Sequence, residues 1–347
     1  MTDPFPAFSR RDLLRSGATI VLACPFFGAL ARPVGAQDTG FADLLDIAAG
    51  LTPLKTMIIA RDGEILVERG FRGHATSAPT NIKSASKSVM ATLIGIAIDR
   101  GILKGVEQRI APLLRNDVPA DADPRIEDIT VGDLLSMQSG LRPTSGPVYG
   151  QWVASRNWVR GALAQPFEDD PGGRMLYSTG STHLLSAILT GVTGRSSLAN
   201  ARDWLGGIEG FSIAGWERDP QGIYLGGNEM AMSSRSLLAF GELWRRGGLD
   251  QNGARHLSAS WVEHAWTTRT TSRWSGDGYG YGWFLRNMAG EEMRYAWGYG
   301  GQMLYIVRRL GLSVVMTSDD TPRPTTIADR DSLHALAAQI IERVRQG

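Results

Sequence analysis

The sequence predicts a mixed α/β fold of the α+β type: an antiparallel sheet formed by the N- and C-terminal segments, flanked by helices, with a mostly helical lobe inserted between them. Three observations carry that expectation. Near the N-terminus two short apolar runs, residues 56–60 and 64–68, flank Asp62-Gly63, a pair suited to the positive-φ positions of a tight hairpin. Near the C-terminus residues 281–285, 303–308 and 312–317 alternate or run apolar, and Leu310-Gly311 punctuates the last two as a turn. Between these ends the apolar residues recur at helical spacing. The expected sheet lobe covers about 50–83 and 275–347, and the helical lobe about 84–274.

The helical elements follow in order. Val89, Met90, Leu93, Ile94, Ala97 and Ile98 keep a helical period, and Gly101 stops it, which marks the strongest amphipathic helix of the chain. Residues 129–137 read as a second helix, broken by Gln138-Ser139-Gly140. Residues 142–157, rich in Pro, Gly and Ser, are expected as a loop carrying Tyr149 and Trp152. Asp170-Pro171-Gly172-Gly173 is a turn, after which residues 182–192, Ser234–Arg245 and 332–344 are helical again.

The chemistry begins at the head of the first of these helices, Ser84-Ala85-Ser86-Lys87. Only four lysines occur in the chain, and Lys87 alone has a serine three residues before it. That spacing puts both side chains on one helix face, so the amine can reach the hydroxyl. A serine is a poor nucleophile until a neighbour takes its proton, and an amine of lowered pKa can do so. A helix N-terminus helps, because its partial positive charge disfavours the ammonium and favours a developing oxyanion. The plain structural alternative is a helix cap followed by an exposed lysine.

The ends and the composition bound the setting. Arg10-Arg11 precedes an apolar stretch over residues 18–31, and Val34-Gly35-Ala36 resembles a small-residue cleavage site. Residues 1–36 are therefore expected to be a twin-arginine export signal, giving a periplasmic or secreted bacterial protein with body 37–347 and no stable membrane span after cleavage. Cys24, the only cysteine, lies inside that signal in a loose lipoprotein-like context, so the body has no disulfide and no thiol nucleophile. Basic and acidic residues nearly cancel, 36 against 35, and no basic run is interleaved with aromatics, which removes support for nucleic-acid binding.

Other chemistries find no pattern. Gly210-Phe211-Ser212-Ile213-Ala214-Gly215 misses the Gly-x-Ser-x-Gly register of a nucleophile elbow by one position. The five histidines show no metal-ligand spacing, and no phosphate or dinucleotide loop is evident, so neither a metal nor another cofactor is expected.

Five ordered segments complete the reading: the Ser84–Lys87 helix; Ile129-Thr130-Val131-Gly132-Asp133-Leu134-Leu135-Ser136-Met137-Gln138-Ser139-Gly140-Leu141; Pro171-Gly172-Gly173-Arg174-Met175-Leu176-Tyr177-Ser178-Thr179; Tyr279-Gly280-Tyr281-Gly282-Trp283; and Gly298-Tyr299-Gly300-Gly301-Gln302. In order and spacing they resemble the serine β-lactamase superfamily, in its class C-like branch. That branch includes penicillin-recognising peptidases, carboxylesterases and 6-aminohexanoate-dimer hydrolases. The resemblance runs from about residue 56 to about residue 319.

The resemblance implies Ser84 as nucleophile, Lys87 as general base and Tyr177 as proton relay, with the backbone amides of Ser84 and Gln302 as oxyanion hole. It implies substrate contacts from Thr179, Tyr299, Gly300 and Gly301. Tyr149 and Trp152, with Trp283 and Trp297, are further candidates for a pocket wall by position. Two departures matter. Thr179 stands where many members have asparagine, and Tyr299 stands where classical β-lactamases have the lysine of Lys-Thr-Gly. A tyrosine offers one hydrogen bond and no charge, so attraction for an antibiotic's carboxylate should be weak. The expected substrate is then a small ester or amide, or a short peptide. A β-lactamase or D-amino-acid peptidase of the same fold is one alternative, and a non-catalytic binding protein retaining the fold is another.

Overall fold

The structure is a computed structural model that describes residues 38–319 and 327–347. The expectations for the export signal and Cys24 lie outside the described residues. In chain order the strands are β1 (Leu54–Arg61), β2 (Glu64–Gly70), β3 (Pro79–Asn81), β4 (Gly215–Trp216), β5 (Met230–Ser233), β6 (Thr270–Thr271), β7 (Gly278–Tyr279), β8 (Phe284–Met288), β9 (Glu291–Gly298), β10 (Gln302–Val307) and β11 (Leu312–Ser318). The helices are α1 (Ala42–Gly50), α2 (Ser86–Asp99), α3 (Val131–Leu135), α4 (Tyr149–Val153), α5 (Trp158–Leu163), α6 (Thr179–Thr193), α7 (Ser197–Leu205), α8 (Ser234–Arg245), α9 (Ala259–Ala265) and α10 (Ile327–Gln346). No helix among the described residues is long and apolar enough to cross a membrane.

The main sheet has eight antiparallel strands in the order β2-β1-β11-β10-β9-β8-β7-β6, so the two ends of the chain meet at the β1–β11 pairing. Both β1–β2 and β8–β9 are joined by two-residue turns whose residues all have φ > 0: Asp62 and Gly63 in the first, Ala289 and Gly290 in the second. That is the geometry whose twist matches paired strands. A smaller sheet, β3-β5-β4, lies apart from the main one.

Alternation along the central strands sorts their side chains to two faces. Ile58, Ala60, Leu304, Ile306 and Val315 enter one core with helices α2, α6 and α8. Met57, Ile59, Met303, Tyr305, Val314 and Met316 enter a second core, covered by Leu44 and Ala48 of α1 and by Leu333, Leu336, Ala337, Ile340, Ile341 and Val344 of α10. Those α10 positions repeat at three and four residues, one helix stripe against the sheet. A sheet buried on both faces reads as nearly continuous apolar sequence, which is what β10 and β11 are.

Two expectations change in detail. Helix α2 is buried from Ser86 through Ala97 on every side. It is a central helix and not an amphipathic surface one, and two of its polar members are bonded internally: Ser88 Oγ donates to the Gly282 carbonyl at 2.6 Å, and Thr92 Oγ1 accepts from Trp244 Nε1 at 3.0 Å. Helix α8 falls in the range assigned to the helical lobe, yet it packs on β11, β10 and β1 of the sheet.

Candidate active site

Ser84 sits in a 3₁₀ turn, Lys83–Ala85, that feeds directly into α2. The turn is wedged against β9 and β10. The close approach depends on Gly298 at the end of β9, where an added Cβ would lie 2.1 Å from the Ile82 carbonyl oxygen. Lys83, immediately before Ser84, has a left-handed φ of 50°, and its N–H is taken by Asn81 Oδ1 at 2.9 Å.

Lys87 occupies the first turn of α2 and is 1% exposed. Its Nζ lies 2.9 Å from Ser84 Oγ, 2.7 Å from the Gly227 carbonyl oxygen and 3.3 Å from Thr179 Oγ1. None of these partners is a carboxylate. Burial without a counter-charge disfavours the ammonium and pushes its pKa down to about 7 from 10.5. A neutral amine has two N–H donors and one lone pair. Gly227 and Thr179 can take the donors, which leaves the lone pair for the Ser84 hydroxyl.

Tyr177 completes the cluster. Its ring centroid is 5.0 Å from Lys87 Nζ, and it lines the same cavity as Ser84. Burial raises the phenol's pKa well above 10, so Tyr177 rests protonated rather than as the easily ionised phenol that a charged lysine would favour. The segment carrying it is stitched to the 137–140 bend: Leu176 N–H donates to the Met137 carbonyl at 2.7 Å, and Gln138 Nε2 to the Gly173 carbonyl at 2.6 Å. Thr179 opens α6, with its N–H donated to Ser145 Oγ at 2.8 Å and the next N–H, of Gly180, to Thr144 Oγ1 at 2.8 Å. Two loop hydroxyls thus cap the helix, a task its own first residues leave undone.

Ser84, Tyr177 and Thr179 open on one cavity of about 640 Å³, walled by Tyr149, Trp274, Phe284, Trp297 and Tyr299, with Pro143, Ser145, Pro147 and Asn228. The three expected catalytic side chains are therefore brought together at a concave, largely apolar site. Tyr149, on what proves to be a short helix and not a loop, is at the wall as expected; its hydroxyl accepts from Asn228 Nδ2 at 3.0 Å, and burial raises its pKa to about 12. Trp152 is not at the wall. It is 3% exposed, packed on Trp158 and His183 with its Nε1 donated to the Trp158 carbonyl at 2.9 Å, because α4 turns that face inward.

Tyr299 lines the cavity, whereas Gly300 and Gly301 do not. Those glycines form the β9–β10 turn at φ 87° and 102°, and an added Cβ at Gly301 would lie 2.7 Å from both Leu333 and Ser318. Gln302 heads β10 beside the Ser84 turn, with its side chain directed into a pair of bonds with the Ser318 backbone. Trp283 is fully buried core. Among the described residues, no group of three or more His, Cys, Asp or Glu is placed to hold a metal ion.

A family model described as Beta-lactamase matches residues 48–339. The chain belongs to the beta-lactamase family. Solved structures agree in fold. A Bacillus anthracis protein provisionally named 6-aminohexanoate-dimer hydrolase superposes with TM-score 0.73 at 18% identity, over 88% of this chain and 82% of that one. EstCE1, described as a hydrolase with promiscuous acyltransferase activity, gives 0.68 at 16% identity over 87% and 99%. A D-stereospecific amidohydrolase from Streptomyces gives 0.62 at 18% identity over 80% and 93%. No curated protein matches the chain in sequence. Beta-lactamase-family proteins of this fold are hydrolases, and the structural neighbours include a hydrolase with acyltransferase activity and an amidohydrolase.

Several site residues escape the family motifs. Gly227 presents the carbonyl that holds Lys87, and Asn228, Ser145, Trp274 and Phe284 line the cavity. Gly226-Gly227, directly ahead of β5, is the one local signal: Cβ atoms at these positions would meet the Thr182 carbonyl oxygen at 2.1 Å and Thr182 Oγ1 at 2.2 Å.

Proposed function

We propose that this protein is an exported serine hydrolase that cleaves an ester or amide through an acyl-enzyme on Ser84, as a carboxylesterase or an amidase of the 6-aminohexanoate-oligomer type. The observation that carries the reading is the Lys87 amine, 2.9 Å from Ser84 Oγ and brought by burial to a pKa of about 7, where the neutral base is readily available. In this reading Lys87 takes the serine proton as Oγ bonds to the substrate carbonyl carbon. The resulting oxyanion is met by the Ser84 and Gln302 backbone amides. As the intermediate collapses, the bond to the leaving oxygen or nitrogen breaks, and Tyr177 gives that atom its proton while being resupplied by Lys87. A water, deprotonated by the same pair, then bonds to the acyl carbon, the bond to Ser84 Oγ breaks to release the acid, and the pair returns the proton to Oγ.

The wall chemistry supports ester or amide over β-lactam. Tyr299 carries no charge, and no charged side chain among the described residues lines the cavity, so a penicillin carboxylate meets no cation there. Export rests on Arg10-Arg11 and the small residues ending at Ala36.

The test is mass spectrometry after treatment with a fluorophosphonate probe. The native protein should gain one adduct on Ser84 and Ser84→Ala none. An unlabelled native protein would instead make this a binding protein on a hydrolase fold. A side-by-side panel of a short acyl ester, an aminohexanoate dimer, a D-Ala-D-Ala peptide and a chromogenic cephalosporin should rank the first two above the others.

A further inference from the structure

Trp274 and Tyr299 are large aromatic side chains left 52% and 50% exposed, and both stand on the cavity that holds Ser84. Trp274 is not on a loose tip. Its turn is closed by the Ser272 N–H donated to the Asp277 carbonyl at 2.8 Å and the Gly276 N–H donated to the Ser272 carbonyl at 2.8 Å. The Asp277 carboxylate is itself buried, accepting from Tyr295 OH at 2.6 Å and lying 3.6 Å from Arg286 Nε, which fastens the turn to β8 and β9. The indole meets the Tyr177 ring edge-on, with centroids 6.2 Å apart and planes at 88°.

Tyr177 is the group that hands a proton to the departing atom in the reading above, so a ring packed against Tyr177 flanks the leaving-group side. A rigidly mounted, half-wet aromatic face in a concave site is surface that a flat apolar ligand can cover. An anionic group carried onto the same walls would be desolvated against aromatic faces; the guanidinium beside them, Arg273, is 5.7 Å from the Trp274 ring and does not line the cavity. We infer that Trp274, aided by Tyr299, selects substrates whose leaving group is uncharged, flat and apolar: an aryl or arylmethyl alcohol or amine. The inference rests on the serine-hydrolase reading and adds the chemical class of the group released.

The experiment compares benzyl acetate, ethyl acetate and 4-carboxybenzyl acetate on the full chain. The acyl group is constant and the three alcohols are of similar basicity, so the comparison isolates recognition of the leaving group. Benzyl acetate should exceed each of the others in kcat/KM by about tenfold or more. Trp274→Ala should cut the benzyl-to-ethyl ratio at least about fivefold, Tyr299→Ala should lower it in the same direction, and Trp274→Phe should hold it within about twofold. A ratio is independent of how much of a variant is folded. Equal rates for benzyl and ethyl acetate, equal rates for benzyl and carboxybenzyl acetate, or a ratio unmoved by Trp274→Ala would each overturn the inference. Fluorophosphonate labelling of the same samples separates the two levels. Loss of labelling on the native protein removes the serine-hydrolase reading and this inference with it, whereas labelling with flat ratios removes the inference alone.

Discussion

The Lys87 amine donates to the Gly227 carbonyl oxygen at 2.7 Å, and that bond ties the first turn of α2 to the loop ahead of β5. It fixes the amine's direction, so the site's alignment depends on a residue with no side chain. A Cβ at 227 would stand 2.2 Å from Thr182 Oγ1 and 3.0 Å from Lys87 Nζ. Gly227→Ala should therefore shift the carbonyl and the amine together and lower kcat/KM on the order of 100-fold, with the thermal melt remaining cooperative. Ester turnover and circular dichroism on the same preparation check both halves.

Burial holds the Lys87 pKa at about 7 against 10.5 in the unfolded chain, and two pH dependences follow. A general base must be neutral, so kcat/KM should rise through about pH 7 and level off above it. Stability moves the same way for another reason. Between about pH 7 and pH 10.5 the unfolded chain holds a proton on this amine that the folded chain lacks, so stability should climb with pH across that window. Below it both states hold the proton, and above it neither does. A displacement of that size corresponds to on the order of 5 kcal/mol, so under the proposed mechanism the base is a destabilising residue retained for its chemistry. Lys87→Met should abolish turnover and flatten the climb, as read by urea unfolding at about pH 7.5 and about pH 9.5.

Tyr177 rests as a phenol, and in the proposed mechanism it passes a proton it already holds. Tyr177→Phe keeps the ring against Tyr279, Phe284 and Trp274 and removes only the hydroxyl. Turnover should fall about 10²- to 10⁴-fold with little change in melting temperature. Slow probe labelling of Ser84 should persist, because the Lys87 amine still faces Oγ. A variant retaining most of its kcat would assign the relay to a water instead.

Much of this was legible in the sequence because the decisive spacings are local. Ser84 and Lys87 are three apart at a helix head, and Asp62-Gly63 and the apolar runs of β10 and β11 carry their own turn and strand signals. β9 carries no clear strand signal because Glu291, Glu292 and Arg294 interrupt its apolar face and its hairpin turn is Ala289-Gly290, without the Asn-Gly or Asp-Gly mark. Trp152 was misplaced because a loop-like composition gives no period from which to read a buried face. The cavity wall was hidden for a broader reason. Trp274 and Phe284 come from a turn and a strand far from Ser84 in sequence, and only the β7-β8-β9 pairing gathers them beside Trp297, which position alone marks as a wall candidate. Glycines carried more than motif reading gave them: Gly282 passes so close to α2 that a Cβ would lie 2.8 Å from Ala91.

A last prediction concerns the support behind Ser84. Lys83 and Glu229 both have left-handed backbones, at φ 50° and 52°. They are joined by an ion pair at 3.6 Å, and Asn81 bonds to both, through its Oδ1 to the Lys83 N–H and through its Nδ2 to the Glu229 carboxylate. One of these residues precedes Ser84, and the other follows Gly227-Asn228, so the brace spans the two segments that place Ser84 and Lys87. Left-handed geometry costs a non-glycine residue about 1–2 kcal/mol, which the brace offsets. Lys83→Gly removes the ion pair but adopts the required φ freely, so it should keep turnover within about threefold and stability close to the native value. Lys83→Val removes the ion pair and also places a β-branched residue at positive φ, which should cost about 2 kcal/mol and lower kcat about tenfold or more as the Ser84 turn relaxes. If the glycine variant proves as impaired as the valine one, the ion pair and not the backbone conformation is what sets the nucleophile's turn. Urea denaturation and ester kinetics on the two variants decide between them.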